Sequence, residues 1–199
     1  MAATLVGPWH PNVLAVGGTT LRSVVGVGLS ATVVESGWVG SGGGSDPYYA
    51  AHTAQRSAFG HLGLRRMSPD LAAVADPRTG VQVWCTDYFK KRTAPVAVAV
   101  GGTSLAAPVV SALLATANGL RISRGVSTLT QDQVMGTIYG RGFNVPGRDA
   151  SADPLFRDTV RTGVGKDVLS KSVCVPGFDL VTGRGSPLPT LLLALSDIV

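Results

Sequence analysis

The chain has 199 residues, 45% hydrophobic and 15% charged, with a mean hydropathy of +0.28, which suits one domain with a large core and argues against disorder. Its formal net charge of +5 comes from scattered residues (Arg65, Arg66, Lys90, Lys91, Arg92) with few aromatics between them, so a solvated face is expected and no nucleic-acid surface. No uninterrupted apolar run reaches the length of a membrane span, and the first residues lack a basic stretch ahead of an apolar core, so neither membrane contact nor a signal peptide is expected.

Residues 12–21 read as a short buried strand ending at the Gly17-Gly18 turn, and residues 30–38 as a second strand. The glycine- and serine-rich stretch 39–49 reads as a loop pressed against a ligand or another backbone. Residues 65–85 join an extended approach to Pro69, a small-residue strand, a turn at Asp76–Gly80 and a further strand. Residues 96–102 are apolar without alternation, the pattern of a strand covered on both faces. A helix then starts near Ser104 and ends near Asn118-Gly119, a suitable stop. Residues 127–139 begin with a cap and predict a second helix, 140–179 are mostly loop, and the chain closes with an apolar helix. Strands alternating with helices argue for an α/β fold with a mainly parallel sheet.

Few side chains are available for general base chemistry. Glu35 is the only glutamate, and His10, His52 and His61 are the only histidines. The two cysteines, Cys85 and Cys174, have no metal-ligand spacing, and they pair only where the fold brings them together.

The stretch Gly-Gly-Thr-Ser-Leu-Ala-Ala-Pro at 101–108 leaves two readings open for Ser104. Serine is a good helix cap, and a strand, a turn and a helix follow one another in many α/β proteins. A hydroxyl at a helix N-terminus also has backbone N–H groups nearby to stabilise an oxyanion, so the position suits a nucleophile too, although on local evidence the cap is the commoner role. Gly101 and Gly102 leave room for a substrate carbonyl, and Pro108 lies early enough in the helix for its lost N–H to cost little.

These residues resemble the G-T-S-x-x-x-P nucleophile motif shared by subtilisin-like and sedolisin-like serine peptidases. Further stretches, in order along the chain, resemble the sedolisins, the serine-carboxyl peptidases. Residues 11–21 resemble P-x-V-x-x-V-G-G-T. Residues 35–49 are similar to E-x-x-W-x-x-S-G-G-G-x-S with a shortened end, and 68–80 to P-D-x-x-A-x-A-D-P-x-T-G. Residues 156–163 and 176–187 resemble the segments of the family's calcium loops. The resemblance covers nearly the whole chain.

It implies a subtilisin-like parallel sheet flanked by helices, with residues 1–199 forming the C-terminal portion of a single peptidase catalytic domain and its N-terminal part missing. It also implies serine-type endopeptidase activity on polypeptides, with Ser104 as nucleophile, a glutamate as base and an aspartate orienting that glutamate. Those partners, and the oxyanion aspartate, lie in family motifs upstream of the V-G-G-T segment. Here the residues before Gly17 hold no carboxylate. Glu35 occupies the E-x-x-W position, and Val39 stands four residues on where the dyad has aspartate. The partners are therefore expected from a complementing N-terminal half, without which one sheet edge and some apolar surface lie exposed. Calcium is implied too, held by Asp158, the carbonyls of Thr159, Val175 and Gly177, and Asp179; the alternative is that Asp158 and Asp179 are ordinary turn residues. Family members are usually exported, which implies an extracellular location.

Other readings stay open beside these. An inactive fragment could bind peptides or associate with a partner through the surviving cleft. A subtilisin-type Ser-His-Asp hydrolase would need His52 or His61. Asp70 and Asp76 suit capping or turn roles, and Trp38 with Gly42–Gly44 either borders a substrate cleft or packs structurally. Residues 163–167 are rejected as a phosphate loop, because Val160 and Asp167 stand at required glycine and Ser/Thr positions.

Overall fold

The computed structural model describes residues 7–25, 31–86, 94–140, 153–158 and 174–199. The chain order opens with β1 (Val16–Val25), β2 (Ala31–Gly37), β3 (Gly44–Ala50), α1 (Thr53–Phe59), β4 (Arg65–Ser68) and β5 (Leu71–Val74). It continues with β6 (Val81–Cys85), β7 (Val96–Val100), α2 (Thr103–Ser123), α3 (Gln131–Gly140), β8 (Phe156–Arg157), β9 (Ser186–Pro187) and α4 (Pro189–Ser196). The architecture is mixed α/β, built among the described residues from small sheets and four helices.

The sheet expected to be mainly parallel is parallel at one junction among the described residues. β1 pairs with β5 in parallel, from Val16 opposite Leu71 to Thr19 opposite Val74. On its other side β1 pairs antiparallel with β2, and the β3–β4, β6–β7 and β8–β9 pairs are antiparallel as well. Short links account for this between β1 and β2, because a tight turn suffices for antiparallel neighbours while a parallel crossover needs about a dozen residues or more. β1 also runs straight through Gly17-Gly18 rather than ending there. The Gly18 N–H donates to Ser41 Oγ at 2.8 Å and its carbonyl accepts from the Trp38 N–H at 2.9 Å, so the stretch after β2 is laced onto the strand. The close approach expected of the glycine-rich stretch is present: a Cβ at Gly43 would lie 2.0 Å from the Ser68 carbonyl oxygen.

α2 packs over β1 and β5 and against α4, while α1 packs on α3. Ala106, Val110, Ala117 and Arg121 are its buried positions, a narrow stripe at helical spacing. The core they join holds Phe59, Met67, Leu71, Met135, Ile138, Tyr139, Phe156, Phe178, Leu191 and Leu195, with the Phe59 and Phe178 rings 4.7 Å apart. Full burial of a leucine such as Leu191 or Leu195 contributes about 1.5–3 kcal/mol.

The helix ends differ in how readily they are read. α3 starts at Gln131, later than the expected start at residue 127, because Thr130 and Gln133 form a reciprocal cap: Gln133 Oε1 accepts from the Thr130 N–H at 2.9 Å, and Thr130 Oγ1 from the Gln133 N–H at 3.3 Å. α2 passes through its expected stop at Asn118-Gly119, because Asn118 turns its side-chain oxygen to the Leu129 N–H (2.8 Å) and the buried stripe continues to Arg121. The guanidinium of Arg121 donates to the carbonyls of Ser127 (2.7 Å), Leu195 (3.4 Å) and Ile198, tying the end of α2 to the end of the chain. By length and composition α2 is also apolar enough to cross a bilayer, with a mean hydropathy of 1.4, a property that counting uninterrupted apolar residues misses.

β7 departs furthest from expectation. Its sequence predicts burial on both faces, yet among the described residues it pairs with β6 alone and much of it faces solvent.

Candidate active site and cation loop

The nucleophile candidate stands at the junction of β7 and α2. The turn between them is a place where only glycine fits twice over. A Cβ at Gly101 would lie 2.5 Å from the Ala75 carbonyl oxygen and from Pro77 N, and Gly102 has φ of 88°, in the left-handed region. Gly102 itself is the N-cap of α2, and no side chain caps the helix. Ser104 is therefore not the cap. It is the second residue of the helix, exposed, and among the described residues its hydroxyl meets no hydrogen-bond partner. The N–H groups of Thr103 and Ser104 belong to the first turn, where the helix offers no acceptor, so they face outward at its positive end.

Pro108 lies inside α2 rather than in its first turn. Its missing N–H is the one that would bond to the carbonyl four residues back, that of Ser104, so the helix is slackened at the serine itself.

Trp38 comes to the same corner. Its indole carbons fill the space next to Gly18 and Gly40, at 3.1 Å and 2.6 Å from where their Cβ atoms would be, and Thr103 Cγ2 lies 3.5 Å from the same Gly18 position. Trp38 is half-buried against the core, so its packing role is plain.

Glu35, Asp70, Asp76 and His52 are already engaged. Glu35 accepts from Thr19 Oγ1 at 2.7 Å and from Ser186 Oγ at 2.6 Å, with Arg157 at 3.8 Å, which ties β1 and β2 to β9. Asp70 takes both guanidinium prongs of Arg66, at 2.6 Å each, together with the Tyr139 hydroxyl and the Ala15 N–H. Burial opposes the Arg66 charge, but Asp70 outweighs it and raises the guanidinium pKa; burial with Asp70 alongside also pushes the Tyr139 hydroxyl well above its ordinary value. Asp76 is a turn residue: its Oδ1 accepts the Arg78 N–H at 3.0 Å, and hydrogen bonding from the Arg78 side chain holds its carboxyl below the ordinary value.

His52 pairs with Asp132 at 2.9 Å, which is half of what a Ser-His-Asp triad needs. Its other nitrogen, Nδ1, accepts the Ala54 N–H and caps α1, so no ring nitrogen is left for a serine. His61 is exposed and makes a tilted contact with the Phe59 ring. The two cysteines form no disulfide with each other: Cys174 is buried beside Gly37, and Cys85 is half-buried on β6.

Of the expected calcium ligands, Asp158, Val175, Gly177 and Asp179 come together, and Thr159 lies outside the described residues. Asp158 Oδ2 accepts the Gly177 N–H at 2.7 Å, and Asp179 Oδ2 the Val175 N–H at 3.3 Å, so both carboxylates meet one short loop. Asp179 Oδ1 also accepts the N–H groups of Val181 (2.8 Å) and Thr182 (2.7 Å). Burial nevertheless pushes its carboxyl up to about 6, against the pull of those donors. Among the described residues no three His, Cys, Asp or Glu side chains cluster as metal ligands. The expected set of two carboxylates and main-chain carbonyls is all oxygen, the donor chemistry that calcium takes.

Sequence reading passed over Arg184, which sits within this loop region. Its guanidinium is buried, lies 5.0 Å over the Phe156 ring and bonds to Asp153, and burial lowers its pKa to about 10. The signal for it was an arginine between two glycines, Gly183 and Gly185, that both adopt positive φ.

No family model and no curated protein matches the chain. Solved structures do. Pseudomonas sedolisin, a serine-carboxyl proteinase complexed with two molecules of pseudo-iodotyrostatin, superposes with a TM-score of 0.65 at 25% identity, covering 95% of this chain and 46% of that one. The chain thus spans less than half the length of the solved chain it matches. Its motifs and its three-dimensional structure agree, and the chain is a structural relative of the sedolisins.

Proposed function

We propose that the chain forms part of a sedolisin-like serine endopeptidase in which Ser104 is the nucleophile. The observation that carries this reading is an exposed, unengaged hydroxyl at the second position of α2, beside outward-facing N–H groups, in a fold that matches part of a serine-carboxyl proteinase. Ser104 Oγ attacks the peptide carbonyl and its proton passes to a carboxylate base, which returns it to the leaving amine. Water then hydrolyses the acyl-serine by the same route in reverse. The N–H groups of Thr103 and Ser104 stabilise the oxygen that gains charge.

By the family resemblance the base and its orienting aspartate belong to further polypeptide, and Glu35, Asp70 and Asp76 each serve to hold the fold. Asp158 and Asp179, with the carbonyls of Thr159, Val175 and Gly177, are the residues that would hold calcium. That ion would supply positive charge between the segments around 158 and 175–179. Polypeptide is the substrate, and export is the setting in which the family works.

A second reading is an inactive module that binds peptides, favoured by the lack of any carboxylate bonded to Ser104 among the described residues. The test is to incubate the chain and its Ser104→Ala variant with an unstructured protein across about pH 3 to 8, with calcium. Cleavage by the parent alone supports a nucleophile whose base lies within these residues. Binding without turnover by either protein supports the inactive module. Turnover only after further polypeptide is added supports the completed peptidase.

A further inference from the structure

Helix α1 passes into β4 through the turn Gly60–Leu64, which stands clear of the body. Apart from its chain neighbours, no heavy atom comes within 4 Å of where a Cβ of Gly63 would be, and Gly63 has φ of 146°, which glycine takes freely. Leu62 is 54% exposed and Leu64 66%, while Phe59, just before the turn, is buried against Phe178. A buried anchor thus holds two leucines out in water. The turn is also closed on itself. The Leu62 N–H donates to the Phe59 carbonyl at 2.9 Å, the Gly63 N–H to that of Gly60 at 3.2 Å, and the Leu64 carbonyl accepts the Ala51 N–H at 3.0 Å.

The surroundings of the tip are cationic. Residues 47–69 contain no aspartate or glutamate, and Arg56, His61 and Arg65 are exposed among them. Arg65 donates to the Tyr48 carbonyl at 3.2 Å, which brings Tyr48, 85% exposed, to the same surface. The carboxylates on the elements packed here are committed elsewhere. Asp46 is buried and accepts the Tyr48 and Tyr49 N–H groups, Asp70 is taken by the buried Arg66, and Asp132 on α3 pairs with His52.

We propose that this tip seats the chain on an anionic lipid bilayer: Leu62 and Leu64 enter the interface, Tyr48 lies at headgroup depth, and Arg56 and Arg65 meet the lipid phosphates. Such a contact needs no spanning segment. An apolar tip flanked by arginines combines two weak signals, burial and charge, that together hold a protein at a charged membrane surface. Lipid is favoured over an acidic polypeptide because the leucines stand on a projecting turn rather than in a groove. The neighbouring strand gives a peptide little to pair with, since Gln55 already bonds both the N–H and the carbonyl of Met67 on β4. A second copy docked by the same patch would set arginine against arginine. Nothing in this contact depends on Ser104.

The experiment floats the full chain with phosphatidylcholine vesicles, with and without phosphatidylserine, at low and high salt. Leu62→Ser combined with Leu64→Ser, and Arg56→Gln combined with Arg65→Gln, are run alongside, with urea titrations checking that each stays folded. Arg56→Gln alone replaces the second pair if losing the bond from Arg65 to Tyr48 disturbs the fold. The expected result is flotation with the phosphatidylserine vesicles that high salt reverses and that each variant weakens about tenfold or more. No flotation, equal flotation with pure phosphatidylcholine, or equal flotation of parent and variants overturns the proposal. So does flotation lost in Trp84→Lys or Val109→Lys but kept in the leucine variant, which moves the contact to other exposed apolar residues. Binding to polyglutamate that survives the leucine substitutions, without flotation, gives the arginines to an acidic polypeptide and overturns it as well.

Discussion

Arg66 and Asp70 meet in a two-pronged ion pair, Nη1 to Oδ1 and Nη2 to Oδ2, both at 2.6 Å, with neither side chain exposed. Removing one member leaves a buried charge alone, which costs about 3–5 kcal/mol. Asp70→Ala should therefore lower stability by that amount in urea titrations. Tyr139→Phe, which deletes a single hydroxyl donor to the same carboxylate, should cost only about 1–3 kcal/mol. Equal losses in the two variants would show that the pair is not the organising element.

Ser104→Ala should leave stability within about 0.5 kcal/mol, since the side chain is exposed and makes no bond among the described residues. Pro108→Ala should raise the melting temperature. An interior helical proline costs about 3 kcal/mol, and about 1 kcal/mol of unfolded-state entropy is given back on removing it. A Pro108→Ala variant less stable than the parent would mean that the ring packs in a way the helix depends on.

Asp76 governs part of the response to acid. Its folded-state pKa lies below the ordinary value because of Arg78, so its contribution is complete above the unfolded carboxylate range and disappears as pH falls through the lower folded value. In denaturant titrations between about pH 5 and 2, Asp76→Asn should show a shallower loss of stability than the parent. Identical slopes would remove Asp76 from the acid limb.

His52→Ala should loosen α1 by about 1 kcal/mol, the usual worth of a side-chain cap, without slowing any reaction of Ser104. Loss of serine reactivity at unchanged stability would restore a Ser-His-Asp reading.

Calcium should raise the melting temperature, by about 2.7 kcal/mol of added stability at a hundredfold excess over its Kd, and chelation should reverse the effect. Asp158→Ala should abolish the rise. A calcium effect unchanged in that variant would put the ion elsewhere.

Local chemistry was legible where it depends on near neighbours in sequence. The Gly101-Gly102 turn and the start of α2 both follow from a few adjacent residues. Partners distant along the chain were not legible. The apolar run 96–100 signals burial but says nothing of what buries it, and β7 lies open among the described residues. Asn118-Gly119 has the composition of a helix stop, but Leu129 claims the asparagine oxygen. Glu35 shows the same limit in the candidate site: the motif sets it aside as the base, but only the fold reveals its own task, accepting the Thr19 and Ser186 hydroxyls.

The bond from Arg121 to the Ile198 carbonyl closes a span of 77 residues. The guanidinium gives up its last water only when that carbonyl arrives, so full docking of α2 waits on the segment around residues 195–198, and a substitution that loosens α4 loosens the far end of α2 with it.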